Sequence, residues 1–130
     1  MPLETDNKCF ACGANNPVGL RLNIIKQSDK VSTDFVAAPP YQGWKDIVHG
    51  GIVATILDEL MVWAALHKGF TVVTAEMNVR FKSPMQVGER VHGFGRIVAV
   101  KHGLVLTEAT LEKTDGTSIA TATGKMLKYQ

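Results

Sequence analysis

The sequence is sparing with several residue types and motifs at once. Its 130 residues include only two cysteines and carry a formal net charge of +2. Lys8, Arg21, Lys26 and Lys30 are scattered, as are the basic residues after Lys82. So small and dispersed a charge argues against a nucleic-acid partner. Met1 to Lys8 is polar, holds two acids and lacks the apolar run of a secretion signal, so the expected compartment is the cytoplasm. Neither a Gly-rich phosphate cradle nor a Gly-x-Ser-x-Gly elbow occurs, which argues against serine-nucleophile chemistry of the usual hydrolase kind. Repeats and low-complexity tracts are missing too.

The two cysteines, Cys9 and Cys12, form a lone C-x-x-C, a spacing open to half a zinc site, a redox pair or neither. No second Cys/His pair with ligand spacing follows; His49, His67, His92 and His102 are isolated. The expectation is therefore reduced thiols packing an N-terminal loop, with no bound metal.

What is present fits one soluble domain over residues 1–130: 45% apolar, 20% charged. Residues 1–18 read as a loop or arm, with turn chemistry at Asn15-Asn16-Pro17. Leu20 to Ile24 alternates and predicts a first strand; Val31 to Ala37 predicts a second, after a polar turn over residues 27–30. Behind the apolar stretch that follows, Val73, Ala75, Met77, Val79 and Phe81 alternate with Thr74, Glu76, Asn78, Arg80 and Lys82, a strand with one wet side. Arg90–Val100, Leu104–Lys113 and Ser118–Lys128 complete four strands after one helix, with Asp115-Gly116 as a hairpin signal. Gly93 and Gly95 mark bends or close packing. One helix set among strands in this order is α+β by pattern.

The chain is organised around His49-Gly50-Gly51 and the helix that runs on to His67, with Gly69 as its stop. From Ile52 to Leu66 nearly every side chain is apolar or small all round the helix, so other structure should wrap it. At this length it reads as too short to cross a bilayer. Asp58 and Glu59 are its only charges, and a carboxylate in apolar surroundings has to be paired or used. At the opening, unpartnered N–H groups beside two glycines suit an oxyanion or a polarised carbonyl. Gly50 and Asp58 stand about 12 Å apart along the axis, too far to act on one carbonyl within a chain. If both act on one substrate they come from different subunits, and the protein is at least a dimer.

His49-Gly50-Gly51, with an acid nine residues after the histidine, resembles the hot-dog-fold thioesterases of the phenylacetate-pathway (PaaI-like) type. The resemblance extends to Asn78-Val79-Arg80-Phe81-Lys82-Ser83-Pro84, to Val87-Gly88-Glu89, and to the leader Cys9-Phe10-Ala11-Cys12-Gly13 with Asn16-Pro17-Val18-Gly19-Leu20. It implies a long antiparallel sheet wrapped around one central helix, and an acyl-CoA thioesterase active as a homodimer or a tetramer built from dimers. Coenzyme A enters as part of the substrate; no cofactor, metal, nucleic acid or membrane is implied. Asp58 falls where the family keeps its catalytic carboxylate, as general base or nucleophile, whereas Glu59 is expected to be structural. The Gly50 amide would polarise the carbonyl, His49 would position it, and Thr74 would orient water. Gly51 belongs to the same site and allows tight helix packing. Asn78, Arg80, Lys82 and Ser83 are candidates for the coenzyme A moiety, with Arg90 beyond; Trp44, Met61 and Trp63 are candidates for the acyl pocket. Many relatives carry an amide side chain six residues before the histidine, where this chain has Gly43 and Gln42 is the neighbouring substitute. Read without the resemblance, Asp58 is equally a structural acid. A hydratase or dehydratase acting on acyl thioesters, and a non-catalytic acyl-CoA-binding module, are the two rival functions.

Overall fold

In the computed structural model, which describes residues 3–129, the apolar stretch forms one helix, α1 (Gly50–His67). Met1, Pro2 and Gln130, the ends of the expected domain, lie outside the described residues. His49 is the N-cap: its Nδ1 accepts the Gly51 N–H at 2.8 Å, satisfying one of the donors that a helix start leaves over. Gly69, at φ +90°, turns the chain out of the helix as a glycine can. With 18 residues and a mean hydropathy of 1.3, α1 is long and apolar enough on those two measures to cross a membrane, which corrects the expectation that it is too short. Here it serves as a core helix. Val53, Ile56, Leu57, Leu60, Met61, Ala64 and Ala65 are all buried. The wrapping is not complete, since Ile52 and Val62 are half-buried and Leu66 is exposed.

Around α1 runs a six-stranded antiparallel sheet. Its strands are β1 (Ile25–Lys26), β2 (Val31–Val36), β3 (Val72–Phe81), β4 (Arg90–Lys101), β5 (Leu104–Lys113) and β6 (Ser118–Lys128). The spatial order is β1-β2-β4-β5-β6-β3, which leaves β1 and β3 at the edges. The helix comes so close to β4 that a Cβ on Gly95 would lie 2.7 Å from the Leu60 carbonyl oxygen. Gly93 and Gly95 therefore mark close packing, as the pattern suggested.

The first expected strand is displaced. Leu20 to Ile24 is not a strand; pairing begins only at Ile25, opposite Ser32. The alternation nevertheless reports burial, because Leu20 and Leu22 point into the core while Arg21 and Asn23 are exposed. These residues bond to the N-terminal arm instead, Leu20 N–H to the Phe10 carbonyl and Leu22 N–H to that of Ala11. Arg21, at φ +55°, breaks the extended course between them. The arm is closed by the turn that the sequence suggested: the Asn16 side-chain oxygen accepts the Val18 N–H at 3.0 Å.

A second difference turns Thr74 to the other face of its strand. Along β3 the pairing with β6 slips between Thr74 and Glu76, so that Thr74 faces Met126 and Met77 faces Gly124. One extra residue in β3 reverses the side-chain alternation. Thr74 therefore lies on the helix side of the sheet with Met77, Val79 and Phe81, not on the wet face with Asn78 and Arg80 as strict alternation predicts.

Candidate functional site

Two groups of side chains stand at different points along α1. The first surrounds its N-terminus. A cleft of about 680 Å³ opens there, lined by His49 and Gly50 from the cap, Trp44 and Ile47 from the preceding loop, and Phe81, Lys82, Ser83 and Met85 from the end of β3 and beyond. Val48, in the same loop, is held by its N–H bond to the Met85 carbonyl, and His49 by its N–H bond to that of Tyr41. Among the described residues the Gly50 N–H has no acceptor, while the next amide is already taken by the His49 ring. Because His49 Nδ1 accepts, the neutral ring carries its proton on Nε2, which leaves Nε2–H to donate to a ligand. The helix dipole adds partial positive charge at this point. This end of the helix can therefore bind a carbonyl oxygen that gains negative charge.

The second group lies two turns along the helix. Asp58 is half-buried, and the Thr74 hydroxyl donates a 2.6 Å hydrogen bond to its Oδ1. Short bonds of this kind to a carboxylate are charge-assisted and orient it firmly. Neither residue lines the cleft, so one chain does not unite Gly50 with Asp58.

The other expected site residues scatter. Trp44 is 86% exposed on the cleft wall. Met61 is fully buried against Gly124 and belongs to the core, which corrects its place in an acyl pocket. Gly51 is not on the cleft; a Cβ there would come 3.0 Å from the His49 Nδ1, so its bareness serves the histidine. Asn78 and Arg80 line a separate depression on the outer face of the sheet, about 370 Å³ in volume, away from Lys82 and Ser83. Gln42 does not fill the family's amide position, because its Oε1 accepts the Asp46 N–H at 3.1 Å. Gly43 takes that place and packs against His49, where a Cβ would meet the His49 Cα at 3.2 Å.

Glu59 turns away from Asp58 toward the arm. The Trp63 indole N–H donates to its Oε2 at 2.9 Å, and the Cys9 thiol reaches the same oxygen at 3.9 Å. Trp63 thus belongs to this cluster, with the Lys26 ammonium over its ring, and not to an acyl pocket. Burial, and then the hydrogen bond and charge of Glu59, push the Cys12 thiol up to about 12. The sequence pointed to the cysteines alone; nothing in the spacing links them to a carboxylate fifty residues away.

Comparison with known proteins bears on the whole arrangement. Residues 45–120 match the family model of the thioesterase superfamily. The chain belongs to that superfamily. Acyl-coenzyme A thioesterase 13 of Mus musculus is 30% identical over 82 residues, 62% of this chain and 54% of the mouse protein. The chain thus spans about half the length of that relative. The PaaI protein of the Escherichia coli phenylacetic acid degradation operon superposes with a TM-score of 0.79 at 14% identity, covering 85% of this chain and 81% of that one. A Streptococcus pneumoniae thioesterase solved with coenzyme A superposes at 0.78 with 16% identity, over 82% of this chain and 87% of its own. That streptococcal protein was also solved with an aspartate changed to alanine and with a threonine sixteen residues later changed to alanine. The fold is the hot-dog fold of the PaaI-like thioesterases, as the residues after His49 implied.

Proposed function

We propose that the protein is an acyl-CoA thioesterase whose active site forms between two copies of a single hot-dog domain. One observation carries this reading: the cleft with the open Gly50 N–H and the Asp58–Thr74 pair lie at opposite ends of the same edge strand. Gly50 sits by Phe81, where a Cβ on it would be 3.6 Å from the ring, and Asp58 sits by Thr74. β3 is a long edge with unpaired backbone groups, a surface that asks for another strand. A two-fold axis pairing β3 antiparallel with its copy sets the Phe81 end of one chain beside the Thr74 end of the other. The Gly50 cleft of each subunit then faces the carboxylate of its partner. The streptococcal neighbour supports the assignment: its altered aspartate and threonine are separated by the same sixteen residues as Asp58 and Thr74.

The chemistry follows from these parts. The thioester carbonyl oxygen accepts the Gly50 N–H, with the His49 Nε2–H as a second donor at the same helix end. Asp58, held by Thr74, takes a proton from water as its oxygen adds to the carbonyl carbon, and the oxyanion forms at Gly50. The intermediate collapses with cleavage of the C–S bond; the thiolate of coenzyme A leaves and recovers the proton from Asp58. Direct attack by Asp58, giving a mixed anhydride that water then opens, uses the same groups. Trp44, Ile47 and Phe81 supply apolar surface for the acyl chain. Lys82 and Ser83, on the cleft wall, meet the coenzyme A phosphates. No metal or separate cofactor enters these steps.

The test is free-thiol release from short, long and aromatic acyl-CoAs by wild type and Asp58→Asn, with a substrate-free control for Cys9 and Cys12. We expect turnover that falls about a hundredfold or more in the variant, the scale for losing a positioned acid–base group. Thiol release from none of them sinks the reading. Hydration of an enoyl-CoA without thiol release would then identify a hydratase, and tight binding without turnover a binding module.

A further inference from the structure

The arm carries a second constellation that the thioesterase chemistry does not use. Cys9, Cys12 and Glu59 bring their ligand atoms within 4.8 Å of one another, and among the described residues no other three His, Cys, Asp or Glu side chains do so. We propose that these three residues bind one zinc-class divalent cation, which fastens the N-terminal arm to the middle of α1.

Three features separate this cluster from a chance meeting of surface groups. First, a tight turn carries both cysteines and keeps their sulfurs within 4.8 Å of each other. The Gly13 N–H bonds to the Cys9 carbonyl at 2.8 Å, and a Cβ on Gly13 would lie 2.4 Å from the Cys9 nitrogen. Only a glycine lets the chain close so tightly after C-x-x-C. Second, the third ligand comes from a different element and already stands near coordination distance. Around a tetrahedral zinc with Zn–S of about 2.3 Å and Zn–O of about 2.0 Å, sulfur and oxygen ligands are roughly 3.5 Å apart. The Cys9 sulfur and Glu59 Oε2 are 3.9 Å apart, so a shift of a few tenths of an ångström completes the edge. Third, the Trp63 N–H on Oε2 orients the carboxylate, a hydrogen bond of the kind that metal-binding carboxylates commonly have.

Two thiolates and a carboxylate favour zinc over the hard cations, which prefer all-oxygen sites. Each thiol gives up its proton to the solvent on binding. Two thiolates and a carboxylate would repel one another if gathered alone, and the divalent cation offsets that repulsion. Cys9 is exposed, so water can reach the cluster and complete the set as a fourth ligand. Because the arm also holds Tyr41, whose hydroxyl bonds to the Gly19 carbonyl at 2.6 Å and whose own carbonyl takes the His49 N–H, fastening it steadies the N-terminal cleft.

Cobalt(II) titration of the fully reduced protein tests the site, since tetrahedral thiolate-bound cobalt absorbs in the visible and near ultraviolet. One cobalt per chain with thiolate charge-transfer bands, displaced by one zinc, is expected. Cys9→Ser and Cys12→Ser should lose those bands, and Glu59→Gln should bind at least about tenfold more weakly. Trp63→Phe should keep the two-thiolate spectrum and weaken binding about tenfold. Should Glu59→Gln lose its helicity, Glu59→Asp decides instead, with weaker binding and retained bands expected. Reduced protein that develops no charge-transfer bands overturns the proposal, as does binding that is unchanged when Glu59 is replaced.

Discussion

The Thr74 hydroxyl reaches Asp58 Oδ1 at 2.6 Å because β3 carries one residue too many between Thr74 and Glu76. Without that bulge Thr74 would point to the outer face and Asp58 would lose its partner. A hydrogen bond to a charged group contributes about 1.5–3 kcal/mol. Thr74→Val, which keeps the shape and drops the hydroxyl, should therefore slow thioester hydrolysis by about 10- to 100-fold. Thr74→Ser should stay within a few-fold of wild type. Steady-state kinetics on the best acyl-CoA decides, and equal rates for Thr74→Val and wild type would remove Thr74 from the site.

The fit of Leu60 against Gly95 predicts a stability change away from the chemistry. A Cβ on Gly95 meets the Leu60 carbonyl oxygen at 2.7 Å and the carbonyl carbon at 2.9 Å, both backbone atoms that cannot rotate away. Gly95→Ala must push α1 off β4 and should cost about 1–3 kcal/mol, the range for overpacked cores. Urea unfolding measures it. A midpoint unchanged by the substitution would mean that the helix can back off freely.

Asp115 opens the turn between β5 and β6 and accepts the Thr117 N–H at 2.9 Å. That backbone hydrogen bond holds its carboxyl below the ordinary value of 3.8. With the folded value depressed, its contribution is present above about 3.8 and is lost as the pH falls through the folded value. Asp115→Ala should be slightly less stable than wild type at neutral pH, and the gap should close in acid. Unfolding midpoints measured across that range test it; a gap that persists in acid would show that the carboxylate charge is not the cause.

Periodic features of the sequence translated directly into structure, and single contacts across the fold did not. The helix from Gly50 to His67 and the strand Leu104–Lys113 fall where apolar spacing, capping and turn residues put them. Each of those signals is local. The bulge that redirects Thr74 is a mismatch between β3 and β6, so alternation within β3 could not show it. Leu20 to Ile24 alternates because two of its leucines are buried, yet its hydrogen bonds go to the arm, and burial period does not name the partner. Met61 looked available to an acyl chain only because a helix apolar all round gives no hint of which face meets Gly124. The same ambiguity hid Glu59, whose direction toward Cys9 depends on where the arm lies.

Gly50 offers the sharpest test of a shared site. It is the first residue of α1, where proline is tolerated and lacks only the N–H that the mechanism needs. His49 precedes it at φ −58° and ψ 135°, an extended conformation that proline permits. Gly50→Pro should therefore fold normally and lose about 10²–10³ in kcat, the usual result of deleting an oxyanion donor. Asp58→Asn should be inactive for the other reason. If the donor and the acid come from different subunits, a mixed dimer of the two variants has one site with both lesions and one with neither. Co-expressing the variants at equal levels should restore roughly a quarter of wild-type activity from two inactive parents. Purified mixed dimers as inactive as their parents would place both groups on one chain's site and end the inter-subunit reading.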